Sequence, residues 1–493
     1  MLKAPPQLLG AVLLLLGSTL YAVDLPTTEL LEVVPGPPET RSTPFIAWDE
    51  DLSRYRYVEQ EYQVSGFANL YEYVDNAAQD STVRVRDADV PYTTRVLVRR
   101  PQHAKRFNGT LYLEVLNPTA GWDGDPIWQN TYRQIIRSGG AYVGVTSKPV
   151  ALNFLRDGWG STPGFAVRNN ERYANLEMPY FGQVWDILSE IGALLKTRND
   201  PHNPLQGFKV RRIVLVGYSQ SVAYQVTYAN SFHERARMPN GKPVIDGYYL
   251  AAGGARGKNV NRPTPDEESL PAGDARNFVS VKAPVVRFQT QTEIVNFPSY
   301  TVRQTEPEFP LVRTYEMAGG AHVDQVTNDL GGIALARDLG LPNFGALCDL
   351  TINPIRIGFV QSALLQVTED WVRKRRKPPP SRLMQLTTAA DGSKAVALDL
   401  DGNAVGGQRP PRLDVPLGTY LPTNTGGGFC FLFGGYNEFD QAELAHRYPS
   451  HRRYVRKVFW KVVKSVSQRF LLPHDGVTLI KEALRSDIGR TSR

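Results

Sequence analysis

The sequence has few cysteines and few histidines. Its 493 residues include 2 cysteines and 7 histidines, and no Cys-x-x-Cys or His-x-x-x-His pair occurs. Such pairs are typical of zinc sites, so their absence argues against a metal centre. We expect neither a metal nor an organic cofactor.

The chain also lacks a strong excess of charge. Its formal net charge is +7, spread along a sequence that is 42% hydrophobic and 21% charged. This balance is typical of a globular protein, and it excludes a wholly disordered chain. The positive charge is too mild and too dispersed to indicate nucleic-acid binding.

Long apolar runs are rare, and the run from Leu8 to Leu20 stands alone near the N-terminus. It follows Lys3 and has the length of a signal peptide, with Ala22 as a cleavage point. We predict a signal peptide over 1–22 and a secreted or periplasmic mature protein. A retained membrane anchor is the alternative. No other stretch approaches 18 apolar residues, so we expect no stable membrane span in the mature chain.

The two cysteines are Cys348 and Cys430. An exported chain folds in an oxidising environment, where these two thiols have each other as partners. The sequence therefore predicts a disulfide bond, and two buried thiols are the alternative.

Short apolar segments alternate with amphipathic ones through most of the chain. After an irregular lead-in over 23–54, strands are predicted at 55–73, 93–101, 109–117, 141–148, 211–217, 244–252, 283–290 and 311–319. Helices are predicted at 126–140, 181–198, 221–232 and 353–374. This alternation predicts an α/β fold with a mostly parallel sheet covered by helices on both faces. We expect one domain over 55–493.

Two further segments of that domain have open interpretations. Residues 255–282 form a polar insertion between two strands, either a lid or a surface excursion. A C-terminal extension over 375–493 is expected to pack on the domain. It includes an amphipathic helix at 451–470, whose apolar stripe either packs on the domain or lies on a membrane.

The stretch Gly217-Tyr218-Ser219-Gln220-Ser221 holds a serine between an apolar strand and a helix. A sharp turn at this place strains the serine backbone and exposes its hydroxyl at a helix N-terminus. The usual pattern is G-x-S-x-G, because strand and helix approach closely there and the residues that flank the serine must be small. Gly217 meets this requirement, and Ser221 is the next smallest choice.

A serine nucleophile needs a base, and the base needs an acid that orients it. His322 lies in a glycine-flanked loop after the strand 311–319, and Glu293 follows the preceding strand. Asp246 opens its strand and so lies at the wrong edge of the sheet. The acids Asp274, Glu306, Glu308 and Asp324 are weaker candidates.

Stabilising an oxyanion requires two backbone N–H groups. One is expected from Gln220, directly after the candidate nucleophile. The other is expected from the loop after the strand 109–117, where Pro118 has no N–H. Asn117 and Thr119 are both candidates.

Several stretches together resemble one family. They are "YLEVLN", "VGYSQS", "QTQTEIV", "GGAHVD" and the long "GNAVGGQRPPRLDVPLGTY" at 402–420. The chain resembles the α/β-hydrolase superfamily, and more narrowly the exported proteins called alpha/beta hydrolase domain-containing protein. The resemblance implies a Ser219–His322–Glu293 triad and makes Ser221 normal for the family. Cysteines also tend to occur in that family at the places of Cys348 and Cys430.

The sequence departs from that family at two positions. Val222 stands where a small residue is expected, and the acid is a glutamate rather than an aspartate. Val222 would narrow the pocket beside Ser219, whereas a glutamate still orients a histidine.

The sequence thus predicts an exported serine hydrolase that cleaves carboxylic esters of small-molecule or lipid-like compounds. A catalytically silent binding protein with the same fold is one alternative. Acyl transfer or amide cleavage by the same residues is another, since all these reactions share the triad.

Overall fold

The structure is a computed structural model that describes residues 23–34, 42–158, 170–260 and 268–490. Within these residues one large sheet contains nine strands in the order β1-β2-β3-β5-β4-β6-β7-β8-β9. The strands are β1 (Thr27–Leu30), β2 (Tyr57–Tyr73), β3 (Val83–Pro101), β4 (Thr110–Val115), β5 (Ala141–Val145), β6 (Arg212–Tyr218), β7 (Gly247–Ala251), β8 (Val285–Thr290) and β9 (Val312–Met317).

The sheet has an antiparallel part and a parallel part. Strands β1, β2 and β3 pair antiparallel, and β3 also runs antiparallel to β5. From β5 through β9 all pairs are parallel. The parallel strands β4, β5, β7, β8 and β9 are buried along their whole length, as a sheet covered on both faces requires. The predicted α/β class is confirmed.

Helices cover this sheet and fill the C-terminal part of the chain. They are α1 (Pro126–Ser138), α2 (Pro149–Asp157), α3 (Val184–Lys196), α4 (Gln220–Thr227), α5 (Gln291–Asn296), α6 (Gln325–Leu339), α7 (Ile357–Lys374), α8 (Pro411–Asp414), α9 (Cys430–Phe433), α10 (Gln441–Arg447), α11 (His451–Ser467) and α12 (Pro473–Arg485). Two large clusters of buried apolar side chains lie on the two faces of the sheet.

Most predicted elements are present, with shifted ends. The helix predicted over 126–140 ends at Ser138, because Gly139 adopts a φ of 75° and closes the last turn. Strand β3 begins at Val83, ten residues before the predicted strand, and its polar first half pairs with the end of β2. The helix predicted over 221–232 is α4 followed by a π-helical turn at Tyr228–Phe232.

The C-terminal extension contacts the edge of the large sheet. Tyr315 and Met317 of β9 form parallel bridges to Arg382 and Gln408. These bridges cover an edge strand whose N–H and C=O groups would otherwise be exposed. The extension also contains two small hairpins, β10 (Leu386–Thr388) with β11 (Lys394–Val396) and β12 (Gly418–Leu421) with β13 (Gly435–Glu438).

Helix α11 buries only part of its predicted apolar stripe. Val458 and Val462 are buried, whereas Phe459 and Val463 are 41% and 40% exposed. The neighbouring Trp460 is 62% exposed. The stripe is therefore split between the domain and solvent. None of the helices in the described ranges is long and apolar enough to cross a membrane.

The predicted signal peptide over 1–22 lies outside the described residues, as do 261–267 of the polar insertion. The described parts of the insertion pack on α4, since the Lys258 N–H donates to the carbonyl of Ala223 at 3.2 Å. The division of the chain into leader, lead-in and single domain stays a prediction.

Candidate active site

Ser219 occupies the sharp turn between β6 and α4. Its backbone has φ 57° and ψ −125°, a conformation that non-glycine residues rarely adopt. Its N–H donates to the carbonyl of Ala251 on β7 at 2.9 Å, and its carbonyl accepts from Val222 at 3.0 Å. The flanking strand and helix thus hold Ser219 in a strained turn at the carboxyl edge of the parallel sheet.

Gly217 is required by close packing at this turn. A Cβ atom there would lie 2.6 Å from Oε1 of Gln225 and 3.2 Å from Cβ of Ser221. The space between β6 and α4 therefore admits no larger residue at 217 without a shift. Ser221 is fully buried beside it.

The hydroxyl of Ser221 also belongs to a buried polar cluster that the sequence did not reveal. Nζ of Lys148 donates to Oγ of Ser221 at 2.8 Å and to the carbonyl of Leu116 at 2.7 Å. Oγ of Ser221 in turn donates to the same carbonyl at 3.1 Å. This cluster joins the end of β4 to the start of α4, behind Ser219. A lysine three residues after the buried strand β5 was its signal in the sequence.

Val222 does not narrow the pocket, contrary to the sequence-based expectation. It is 1% exposed and packs against Gly253, where an added Cβ would lie 2.4 Å from Cγ1 of Val222. Gly253 lies just after β7. The branched side chain thus fills space between α4 and the loop after β7.

Glu293 and His322 are in direct contact. Nδ1 of His322 lies 2.6 Å from Oε1 of Glu293, and both side chains are buried. The other oxygen of Glu293 accepts from the N–H of Thr290 at 2.5 Å. The N–H of His322 donates to Oγ1 of Thr292 at 3.0 Å. Helix α5 after β8 and the loop after β9 are therefore joined by these side chains.

Tyr218 fixes the histidine loop from the other side. Its hydroxyl donates to the carbonyl of His322 at 2.6 Å, and the two rings meet edge to face at 5.0 Å. Burial raises the pKa of Tyr218 well above its usual value, so the phenol stays a hydrogen-bond donor. The residue before Ser219 thus orients the loop that contains His322.

The weaker acid candidates have other partners. Asp324 caps α6 by accepting from Thr327 and also accepts from the N–H of Ile357. Asp246 lies beside Lys196 at 2.6 Å, and Asp274 lies beside Arg276 at 2.6 Å. Glu306 accepts from the hydroxyl of Ser381 at 2.8 Å.

The two candidate oxyanion donors after β4 differ in their bonding. The N–H of Asn117 donates to the carbonyl of Gly124 at 2.9 Å, as one half of a two-way bridge. The N–H of Thr119 donates to Oδ1 of Asn117 at 2.9 Å, while Nδ2 of Asn117 donates to the carbonyl of Tyr218 at 3.0 Å. The N–H of Asn117 is thus bonded to a backbone carbonyl, whereas that of Thr119 is bonded to a side-chain oxygen. Asn117, Thr119 and Gln220 all lie in the lining around Ser219.

Two chambers open on either side of Ser219. The first, here the histidine-side chamber, has a volume of about 210 Å³ and is lined by Ser219, Thr119 and His322. The second, here the insertion-side chamber, has about 590 Å³ and is lined by Ser219, Thr119 and Gln220. Ser219 thus stands at the junction of the two.

The C-terminal extension supplies part of both walls, which the sequence did not reveal. Phe429 and Leu432 line both chambers, and Phe433 lines the histidine-side one. These residues flank Cys430, which is bonded to Cys348. The predicted disulfide is therefore confirmed, and it fastens the wall segment 429–433 to the loop that contains Cys348.

The solved structures to which this chain is similar share little of its sequence. No curated protein matches the sequence. Similar solved structures include a glucuronoyl esterase from Solibacter usitatus, with 8% identity over 54% of this chain and 68% of that one and a TM-score of 0.27. An acetyl xylan esterase from Thermoanaerobacterium has 11% identity over 59% and 80% of the two chains, with a TM-score of 0.27. An alpha-beta serine hydrolase homologue from Coxiella burnetii has 12% identity over 50% and 90%, also with a TM-score of 0.27.

A family model shows the membership directly. Residues 33–481 match the model described as "Alpha/beta hydrolase domain", which is most of the chain. The match includes strands β2 to β9, the residues Ser219, Glu293 and His322, and most of the C-terminal extension. This chain belongs to the alpha/beta hydrolase domain family.

Proposed function

We propose that the protein is a serine hydrolase that cleaves carboxylic ester bonds. One observation supports this above all: His322 lines the same chamber as the strained Ser219 and contacts the buried Glu293 at 2.6 Å. A nucleophile, a base and an orienting acid are what acyl-transfer chemistry needs.

In the proposed reaction, Oγ of Ser219 attacks the ester carbonyl while Nε2 of His322 takes its proton. Glu293 holds Nδ1 of His322 protonated and stabilises the imidazolium that forms. The N–H groups of Gln220 and Thr119 stabilise the oxyanion, with the Thr119 N–H exchanging its bond to Oδ1 of Asn117 for one to the substrate. The proton on Nε2 then passes to the leaving alcohol. Water then attacks the acyl-enzyme, with His322 again as base, and releases the acid and free Ser219.

A fluorophosphonate probe tests the nucleophile. We expect one label per wild-type molecule, located on Ser219 by peptide mass spectrometry, and none on Ser219→Ala. The matched control is Ser221→Ala, which should retain the label because the Ser221 hydroxyl is fully buried. Equal labelling of wild type and Ser219→Ala would refute the proposal.

We also propose that the protein acts outside the cytoplasm. The disulfide between Cys348 and Cys430 is of a kind that persists in oxidising compartments. Residues 1–22 have the composition of a signal peptide. N-terminal sequencing of the mature protein after cell fractionation tests this. A start near residue 23 in an exported fraction supports export, whereas an uncleaved chain in the cytosol contradicts it.

A further inference from the structure

The two chambers beside Ser219 contain different reactive groups. Among the described lining residues, His322 belongs to the histidine-side chamber alone, and Gln220 belongs to the insertion-side chamber alone. Ser219 and Thr119 belong to both. An ester bound with its carbonyl carbon at Ser219 must therefore place its two halves in different surroundings.

Proton transfer decides which half goes where. In acylation the bond between the carbonyl carbon and the alcohol oxygen breaks, and that oxygen receives the proton from Nε2 of His322. The alcohol oxygen must then lie within hydrogen-bond reach of His322. Resting on the proposed function, we infer that the alcohol half occupies the histidine-side chamber and the acyl half occupies the insertion-side chamber.

The histidine-side chamber suits a compact, uncharged alcohol. Its volume is about 210 Å³, and its described lining contains no Asp, Glu, Lys or Arg. Trp122, Phe344 and Phe433 supply aromatic walls, and the Trp122 and Phe344 rings are stacked at 6.3 Å. An anionic alcohol would lose its hydration here without gaining an ionic partner from the described lining.

The insertion-side chamber suits a larger acyl group. Its volume is about 590 Å³, and its described lining includes the charged residues Arg256, Lys258 and Asp274. Asp274 pairs with Arg276 at 2.6 Å, and Nζ of Lys258 donates to Oγ of Ser269 at 3.5 Å. The inferred substrate class is therefore an ester of a compact, uncharged alcohol with a bulky acid.

A two-way ester series tests this orientation. One arm fixes a p-nitrophenyl leaving group and lengthens the acyl chain from acetyl to dodecanoyl. The other arm fixes the acyl group as acetyl and varies the alcohol through methyl, butyl, benzyl, naphthylmethyl and the anionic glycolate, with release of acid as the readout. We expect kcat/KM to be retained or to rise with acyl length. We expect it to fall at least about tenfold for the naphthylmethyl and glycolate acetates.

Matched variants assign each trend to a chamber. Gly331→Leu adds a side chain to the histidine-side chamber, where a Cβ would meet only Oε1 of Gln129 at 3.6 Å. Ala223→Leu adds a side chain of the same type to the insertion-side chamber. We expect Gly331→Leu to reduce the largest accepted alcohol from benzyl to butyl, while the dependence of kcat/KM on acyl length stays unchanged. Ala223→Leu should shorten the longest accepted acyl chain with an unchanged alcohol profile.

The outcomes separate this inference from the proposed function. If no ester is hydrolysed and the fluorophosphonate does not label Ser219, the hydrolase proposal fails. If esters are hydrolysed and Ser219 is labelled, but each variant changes the other profile, the orientation alone is overturned. Thermal melting of both variants verifies folding. A variant that melts early is replaced by Gly331→Val or Ala223→Val, for which the same pattern is expected.

Discussion

The site around Ser219 combines residues from two parts of the chain: the ends of the sheet strands and the wall segment 429–433. Ser219, Glu293 and His322 each follow a strand of the parallel sheet by a few residues. Phe429, Leu432 and Phe433 instead come from the distant C-terminal extension, fastened there by a disulfide. Strand ends provide the rigid placement that chemistry requires, whereas a peripheral segment is free to vary the shape of the cavity. Changes to the strand-end residues should greatly lower kcat for ester hydrolysis, and changes to the wall should alter the discrimination between esters.

The largest effect is expected at the carboxylate that orients the histidine. Glu293→Gln keeps the shape but removes the charge that stabilises the His322 imidazolium. We expect kcat to fall about 1,000- to 10,000-fold with little change in KM. Steady-state kinetics on the best ester measures this. The control Glu306→Gln, at a carboxylate that instead bonds Ser381, should stay close to wild type. A Glu293→Gln enzyme with a near-normal kcat would remove this residue from the mechanism.

A smaller effect is expected behind the nucleophile. Ser221→Gly restores the common G-x-S-x-G pattern, yet it deletes the hydroxyl that bonds Lys148 and the carbonyl of Leu116. We expect kcat to fall about 10- to 100-fold because the end of β4 is less firmly held against α4. Lys148→Met should have a similar effect. Wild-type kcat in Ser221→Gly would mean that only the small size of residue 221 matters.

The disulfide should affect substrate choice more than rate. The double variant Cys348→Ser/Cys430→Ser releases the segment 429–433 from its anchor. We expect a loss of about 2–4 kcal/mol in unfolding free energy, measured by urea denaturation. Discrimination between butyl and naphthylmethyl acetates should decrease several-fold. Unchanged discrimination would show that packing alone keeps the wall in place.

The smallest effect on catalysis is expected at a second buried histidine. Nδ1 of His233 lies 2.8 Å from the Tyr248 hydroxyl, and burial lowers the pKa of His233 to about 4. The unfolded chain binds this proton near pH 6.5, so stability falls as the pH drops from about 6.5 to 4. Between pH 7.5 and pH 5 this histidine should contribute a loss of about 2 kcal/mol.

Urea denaturation of His233→Gln at these two pH values checks that contribution. The variant should lose about 2 kcal/mol less than the wild type over this interval, with kcat largely retained. An equal loss in both proteins would show that other groups dominate the acid sensitivity.

The local sequence pattern was sufficient to predict much of the fold. The buried strands β4 to β9 appear in the sequence as short apolar runs, because both faces of a parallel sheet are covered. The polar half of β3 was missed because the alternation of Val83 and Val85 with arginines is short and shifts at Asp87. These residues form a continuous strand by pairing with β2. The exposure of Phe459 on α11 was also missed, because periodicity does not reveal how much of a stripe a neighbour covers.

The sequence by itself determined the order of elements, the strained turn at Ser219 and the cysteine pair, because each depends on short-range pattern or on having one available partner. Only the tertiary structure decided the contact of His322 with Glu293, the Lys148–Ser221 cluster and the two chambers. These features join segments that are far apart in the chain. Their geometry is set by how the sheet and the C-terminal extension pack, which no local pattern encodes.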